Sequence, residues 1–197
     1  MLETRPAAQR LSALNAPLVA ESETPVAISV RPAPAAARFS LRLDPAVAQS
    51  LGMVAGSPLD LRINRCAAVG ERAAARLGPN EWLLLGPEPE NEAIAGQIDA
   101  ALAGHFYALV NIGHRDIALE ISGRYAAAVL NSGCPLDLAA NAFPAGSATR
   151  TLLGKAEIVL MRMTEAPAYR VECGRSFGRY VHDFLLAAAR EFETRAG

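Results

Sequence analysis

The chain has few residues that react. Its 197 residues include three cysteines, three histidines and one tryptophan. Cys66, Cys134 and Cys173 are dispersed, form no Cys-x-x-Cys pair and have no histidine at metal-ligand spacing. An odd, scattered set argues against a disulfide framework and fits reduced thiols in the cytoplasm. There is no Gly-x-Gly-x-x-Gly turn, so a dinucleotide fold has no fingerprint here. Gly154-Lys155 lacks the upstream glycines of a phosphate loop and precedes a strand-like run, so it reads as a hairpin turn. No apolar run reaches the roughly 18 residues of a membrane span, and no charged-then-apolar leader opens the sequence. Charge is scarce as well. Charged residues make up 20% of the chain and the net charge is −1, which gives no general attraction to nucleic acid or an anionic membrane.

What is present is apolar. Hydrophobic residues reach 51%, and mean hydropathy is +0.17. Either a partner covers part of the surface, or the many alanines inflate the average. Residues 1–38 differ from the rest: rich in Ala, Pro, Ser and Glu, with Pro6, Pro17, Pro25, Pro32 and Pro34. Each proline removes a donor and disfavours helix before it, so the segment reads as an extended arm with one short helix near 9–14. Val26, Ile28 and Val30 alternate with smaller residues, a pattern suited to a strand added to another protein's sheet edge.

Residues 39–192 read as one α+β domain, divisible into 39–112 and 113–192. Strands are expected at 39–43, 59–63, 82–85, 107–112, 116–121 (the continuation or partner of 107–112), 152–153, 158–163 and 169–173, with another strand-like passage in 67–77. Asp44-Pro45 is an N-cap and first helical residue, with Gly52 as the stop. Ile94, Ile98 and Leu102 mark one helix face, after glutamates at its N-terminus. A short helix follows Ser122-Gly123, with Gly133 at its end. Phe177, Tyr180, Val181, Phe184, Leu185 and Ala188 mark the face of a last helix over 176–192, capped by Ser176. Tight turns join most strands. We therefore expect mostly antiparallel sheets with helices on one face and split β-α-β elements in the second half.

Candidate chemistry is thin. Cys134, fixed between Gly133 and Pro135, could be a placed thiol, but reads more simply as a small buried residue at a helix end. Asp137 reads as the cap of the next segment. His105, His114 and His182 lie in no motif for covalent flavin attachment. A folate site needs a carboxylate, aromatic stacking and an arginine, and Glu81, Trp82, Tyr125, Arg124 and Arg150 are the right types without forming a motif. Arg115, Arg124 and Arg150 read equally as interface or surface residues. Trp82, after the Gly78-Pro79-Asn80-Glu81 turn, reads as packing mass. Residues 122–155 hold most of the unusual punctuation and read as a rigid scaffold piece. No catalytic, cofactor-binding or metal residue is assigned.

Two stretches carry a resemblance. One is Arg76-Leu77-Gly78-Pro79-Asn80-Glu81-Trp82-Leu83-Leu84. The other is Ser122-Gly123, Gly133-Cys134-Pro135-Leu136-Asp137-Leu138, Phe143-Pro144, Gly146 and Arg150-Thr151-Leu152-Leu153-Gly154-Lys155, closed by Arg175-Ser176-Phe177 and Tyr180. In order and spacing, 39–192 resembles the gamma subunits of heterotetrameric sarcosine oxidase. The resemblance implies a fold similar to part of the aminomethyltransferase proteins such as the glycine-cleavage T-protein. It implies a non-catalytic subunit of a complex that oxidises sarcosine to glycine, makes hydrogen peroxide and passes a one-carbon unit to tetrahydrofolate. It implies alpha, beta and delta partners that carry FAD, FMN, NAD, tetrahydrofolate and zinc, with no cofactor on this chain. The alternative is a stand-alone tetrahydrofolate-binding or aminomethyltransferase-like protein. The isolated chain is expected to self-associate where partners would sit.

Overall fold

The computed structural model describes residues 27–193. Most of the arm, with the helix expected near 9–14, lies outside the described residues. The chain runs through β1 (Ser29–Pro32), β2 (Ala36–Leu43), α1 (Pro45–Leu51), β3 (Met53–Val54), β4 (Ser57–Pro58), β5 (Arg65–Val69), β6 (Arg72–Gly78) and β7 (Glu81–Pro87). After a 3-10 turn come α2 (Asn91–Ala101), β8 (Tyr107–Asn111), β9 (Asp116–Ser122), α3 (Ala126–Asn131), β10 (Ser147–Leu153), β11 (Ala156–Arg162), β12 (Ala168–Gly174) and α4 (Gly178–Glu193). The class is α+β, as expected.

Ten strands form one sheet in the order β1-β9-β12-β11-β10-β5-β6-β7-β2-β8, and β3 and β4 form a separate small hairpin. Every pairing is antiparallel. The large sheet is weakest in its middle, where β10 meets β5 in register only at Ser147 and Arg65. It therefore behaves as two half-sheets: β5, β6, β7, β2 and β8 with α1 and α2, and β1, β9, β12, β11 and β10 with α3 and α4.

The period-2 pattern of each strand decides which half-face a residue reaches. In β2, Ala37, Phe39, Leu41 and Leu43 join Trp82, Leu84, Ile94 and Ile98 in a cluster with the first pair of helices. In β12, Tyr169, Val171 and Cys173 join Leu119, Ile121, Val181 and Leu185 in a second cluster with α3 and α4. The alternate residues face the other half-sheet. Leu83 and Leu85 of β7 and Ala73 and Ala75 of β6 meet Ala148 of β10 and Met161 of β11 in a third cluster along the seam. Charged residues share this inward face: Arg38 and Arg42 of β2, on either side of Ser40, Glu81 of β7, Arg150 of β10, and Arg170 and Glu172 of β12.

Local chemistry explains most element ends. Asp44 Oδ1 accepts from the Ala46 N–H at 2.7 Å, capping α1, and Gly52 stops it at φ +67°. Its buried residue is Ala48, while Leu51 of the expected face stays exposed. Ile94, Ile98 and Leu102 are buried as spaced. Tyr180, Phe184 and Ala188 pack partly buried around the fully buried Val181 and Leu185.

Several expectations fail for physical reasons. The arm does not extend to residue 38. β1 pairs with β9, Val30 opposite Ile121, and β2 begins at Ala36, so the strand imagined for a partner's sheet edge joins this chain's own sheet. No strand forms at 59–63. Leu59 is pinned by the Trp82 indole N–H, which donates to its carbonyl at 3.1 Å, and the chain turns at Asn64 with φ +64°. β8 and β9 are not partners and end in different half-sheets. Gly133 is not a left-handed helix stop. It is glycine because a Cβ there would lie 2.5 Å from the Phe184 ring of α4. Ser176 makes no capping bond and sits in a 3-10 turn, so α4 begins at Gly178.

Candidate functional site

Arg42, Glu81 and Arg150 gather around a cleft of about 540 Å³ that Glu172 also borders. Glu81 is its centre. The residue is buried, and its carboxylate accepts from Arg150 Nη1 at 2.9 Å and Nη2 at 2.5 Å. Arg42 Nη2 lies 3.1 Å from the same carboxylate, and Arg42 Nη1 donates to Asn80 Oδ1 at 3.1 Å. Hydrogen bonding to Arg150, reinforced by the charges of Arg150, Arg42 and Arg115, holds the Glu81 carboxyl below its usual range. In return, Glu81 raises Arg150 further above neutrality. Arg115 forms a two-point pair with its neighbour Asp116, at 3.0 Å for each contact.

Behind the cleft the charges are dry. Arg38 Nε donates to Glu172 at 2.7 Å, and the two side chains keep only 6% and 4% of their exposure. Arg170 donates to the other Glu172 oxygen at 2.7 Å and comes within 4.0 Å of Glu120, which pairs with Arg31 at 2.9 Å. Arg38 belongs to one half-sheet and Glu172 to the other, so this pair crosses the seam, as Glu81–Arg150 does.

Such an arrangement binds charge and fixes geometry. Glu81, Asp116 and Glu172 each already neutralise at least one guanidinium. Burial in the cluster with α3 and α4 pushes the Cys173 thiol up to about 12, helped by Glu172 and Asp116. Burial likewise takes Cys66 to about 11. Both therefore stay protonated at neutral pH and are poor nucleophiles. Among the described residues, no group of three His, Cys, Asp or Glu is placed to hold a metal ion.

The residues considered for folate divide between two places. Glu81, Trp82 and Arg150 border the cleft. The Trp82 ring, however, is fully buried in the cluster beneath α1 and α2. Tyr125 stacks near Phe192 at 5.0 Å and carries the Arg124 guanidinium at 4.8 Å, in the helical layer of the other half. Cys134 is buried below α3, at the helix end, and Asp137 Oδ1 accepts from the Ala139 N–H at 2.9 Å, capping the turn that follows. His105 and His114 are exposed in loops, and His182 is on α4. Arg38, Arg42 and Glu172 were not singled out from sequence. Their signal was alternation: each is the polar residue between two core residues of a strand.

The family model for "Sarcosine oxidase, gamma subunit family" matches residues 40–191. A sarcosine oxidase subunit gamma from Arthrobacter sp is 31% identical over 177 residues, covering 88% of this chain and 86% of that protein. Among solved structures, heterotetrameric sarcosine oxidase from Corynebacterium sp. U-96 contains a chain with a TM-score of 0.73 and 26% identity, covering 84% of this chain and 85% of that one. The glycine cleavage system aminomethyltransferase T from Bartonella henselae shares the fold, with a TM-score of 0.64 at 13% identity. That match covers 83% of this chain and 46% of the transferase. From the half-sheet architecture and the extent of these matches, the chain belongs to the sarcosine oxidase gamma subunit family.

Proposed function

We propose that this chain is a non-catalytic structural subunit of a heterotetrameric sarcosine oxidase. Its role is to hold and shape larger partners that oxidise sarcosine to glycine, make hydrogen peroxide and pass a one-carbon unit to tetrahydrofolate. The partners are the alpha, beta and delta subunits, and FAD, FMN, NAD, tetrahydrofolate and zinc belong to them. The assembly works in the cytoplasm. No helix among the described residues is long and apolar enough to cross a membrane.

The observation that carries this reading is the family match across 40–191, nearly the whole described body. The cleft agrees with it, because Glu81, Asp116 and Glu172 are spent on arginines instead of being left to act as acid or base. Exposed Phe106, at 98%, and Val110, at 55%, lie just before and within the edge strand β8, the kind of surface a partner covers. Alone, the chain self-associates there.

Co-expression with the larger subunits followed by size-exclusion chromatography tests the assignment. We expect co-elution in one assembly. A chain that always elutes apart from them rules the assignment out. The competing reading, a stand-alone folate protein, draws on the transferase-like fold, but Tyr125 and Arg124 lie apart from Glu81 and Arg150. It requires saturable tetrahydrofolate binding by the purified chain in calorimetry.

A further inference from the structure

The ten-stranded sheet ends in β1 on one side and β8 on the other, and the two edges are not alike. At β1 the Ala33 N–H donates to the Ala118 carbonyl, one step beyond the pairing of Pro32 with Leu119. By alternation Ser29, Arg31 and Ala33 spend their backbone groups on β9, and Val30 and Pro32 turn theirs outward. Pro32 has no N–H to offer, and Arg31 and Pro34 flank this edge, so it resists another strand. At β8 the Ile112 N–H donates to the Arg38 carbonyl. Val110 opposite Ser40 and Ala108 opposite Arg42 therefore bond inward as well. Tyr107, Leu109 and Asn111 turn their N–H and C=O groups outward. None of the three is proline, and residues 105–113 contain no Asp, Glu, Lys or Arg. Tyr107 and Leu109 pack against the cluster beneath α2, which fixes the strand. The other face carries Phe106, 98% exposed, and Val110, 55% exposed.

We propose that β8 pairs with β8 of a second copy of this chain, antiparallel about a two-fold axis at Leu109. Leu109 then exchanges both backbone bonds with its own counterpart, and Tyr107 does so with the other copy's Asn111. On the exposed face, Val110 lies across from the other copy's Ala108, and Phe106 across from its Ile112. Each contact occurs twice, as an isologous interface requires. Charge does not oppose the pairing. Arg42 sits one strand in, so the two copies of it are three strand spacings apart, roughly 14 Å, beyond the ~8 Å screening length. Asp99 accepts from the Tyr107 hydroxyl at 2.8 Å and meets the neutral Asn111 side. Arg115, beyond the strand, is already paired with Asp116. This inference rests on the self-association read above and not on the sarcosine oxidase assignment, so failure to co-elute with larger subunits would leave it standing.

The test is sedimentation velocity of the purified full-length chain over a concentration series, with amide hydrogen exchange at low and high concentration. We expect a monomer–dimer equilibrium, and slower exchange at Tyr107, Leu109 and Asn111 in the dimer. Val110→Lys, with an unchanged fold by circular dichroism, should weaken the dimer about tenfold, because a lysine guards an edge and the symmetry counts it twice. Adding Ala108→Glu to it should restore much of the loss, since in this register each new ammonium lies across from a new carboxylate. A chain that stays monomeric, or a dimer whose Tyr107, Leu109 and Asn111 amides exchange as in the monomer, would overturn the proposal. So would a Val110→Lys variant that dimerises normally, or a double variant no tighter than Val110→Lys alone.

Discussion

The two ends of the seam use the same chemistry in different surroundings. At the closed end, Arg38 and Glu172 meet at 2.7 Å with 6% and 4% of their side chains exposed. At the cleft, Glu81 meets Arg150 and Arg42, whose side chains remain 42% and 51% exposed. Both connect the half-sheets, which backbone pairing joins in register at one position only. What differs is water. A dry charge that loses its partner has nowhere to turn, whereas a wet one is rehydrated. The closed end should therefore be the brittle join and the cleft the forgiving one.

Glu172→Ala is the largest test of that contrast. It strands Arg38 in the interior, leaves Arg170 only the longer contact to Glu120, and should cost about 3–5 kcal/mol in urea unfolding. A loss no greater than that of a surface pair would erase the distinction. A control away from the seam comes next. Gly133→Ala pushes a methyl into Phe184 and should cost about 1–3 kcal/mol by overpacking, with the seam intact. Glu81→Gln keeps the shape and loses the charge, and should cost only about 1 kcal/mol because Arg150 and Arg42 return to solvent. The smallest effect is in pH. The folded Glu81 carboxyl titrates below its ordinary value of 4.5, so its contribution is complete above that pH and fades as pH falls through the lower folded value. The stability gap between wild type and Glu81→Gln should be constant above pH 4.5 and close below it. A gap that widens in acid would have the wrong sign.

The outer faces were legible in the sequence. Alternation in β2 and β12 and the helical spacing of Ile94–Ile98–Leu102 name their core residues without help, because each pattern needs only its own segment. The joining of the halves was not. Whether Arg38 is solvated or buried depends on Glu172, 134 positions away, and no local pattern contains that distance. The segment at 59–63 misled because alternation describes a strand only if a neighbour pairs with it, and Trp82 holds Leu59 in another role. Gly133 was seen as a helix stop, but what it makes room for, the Phe184 ring, is on another element. Cys134 at the end of α3 and Asp137 capping the turn after it are legible, since such contacts are local.

Under the proposed structural role, this chain's buried charges serve architecture and not turnover. The direct measurement is sarcosine turnover per assembled complex with Glu172→Gln in this subunit, alongside the unfolding midpoint of the same variant. The account predicts unchanged turnover in complexes that still assemble, together with a lowered midpoint. Turnover that collapses while assembly and midpoint stay intact would contradict it.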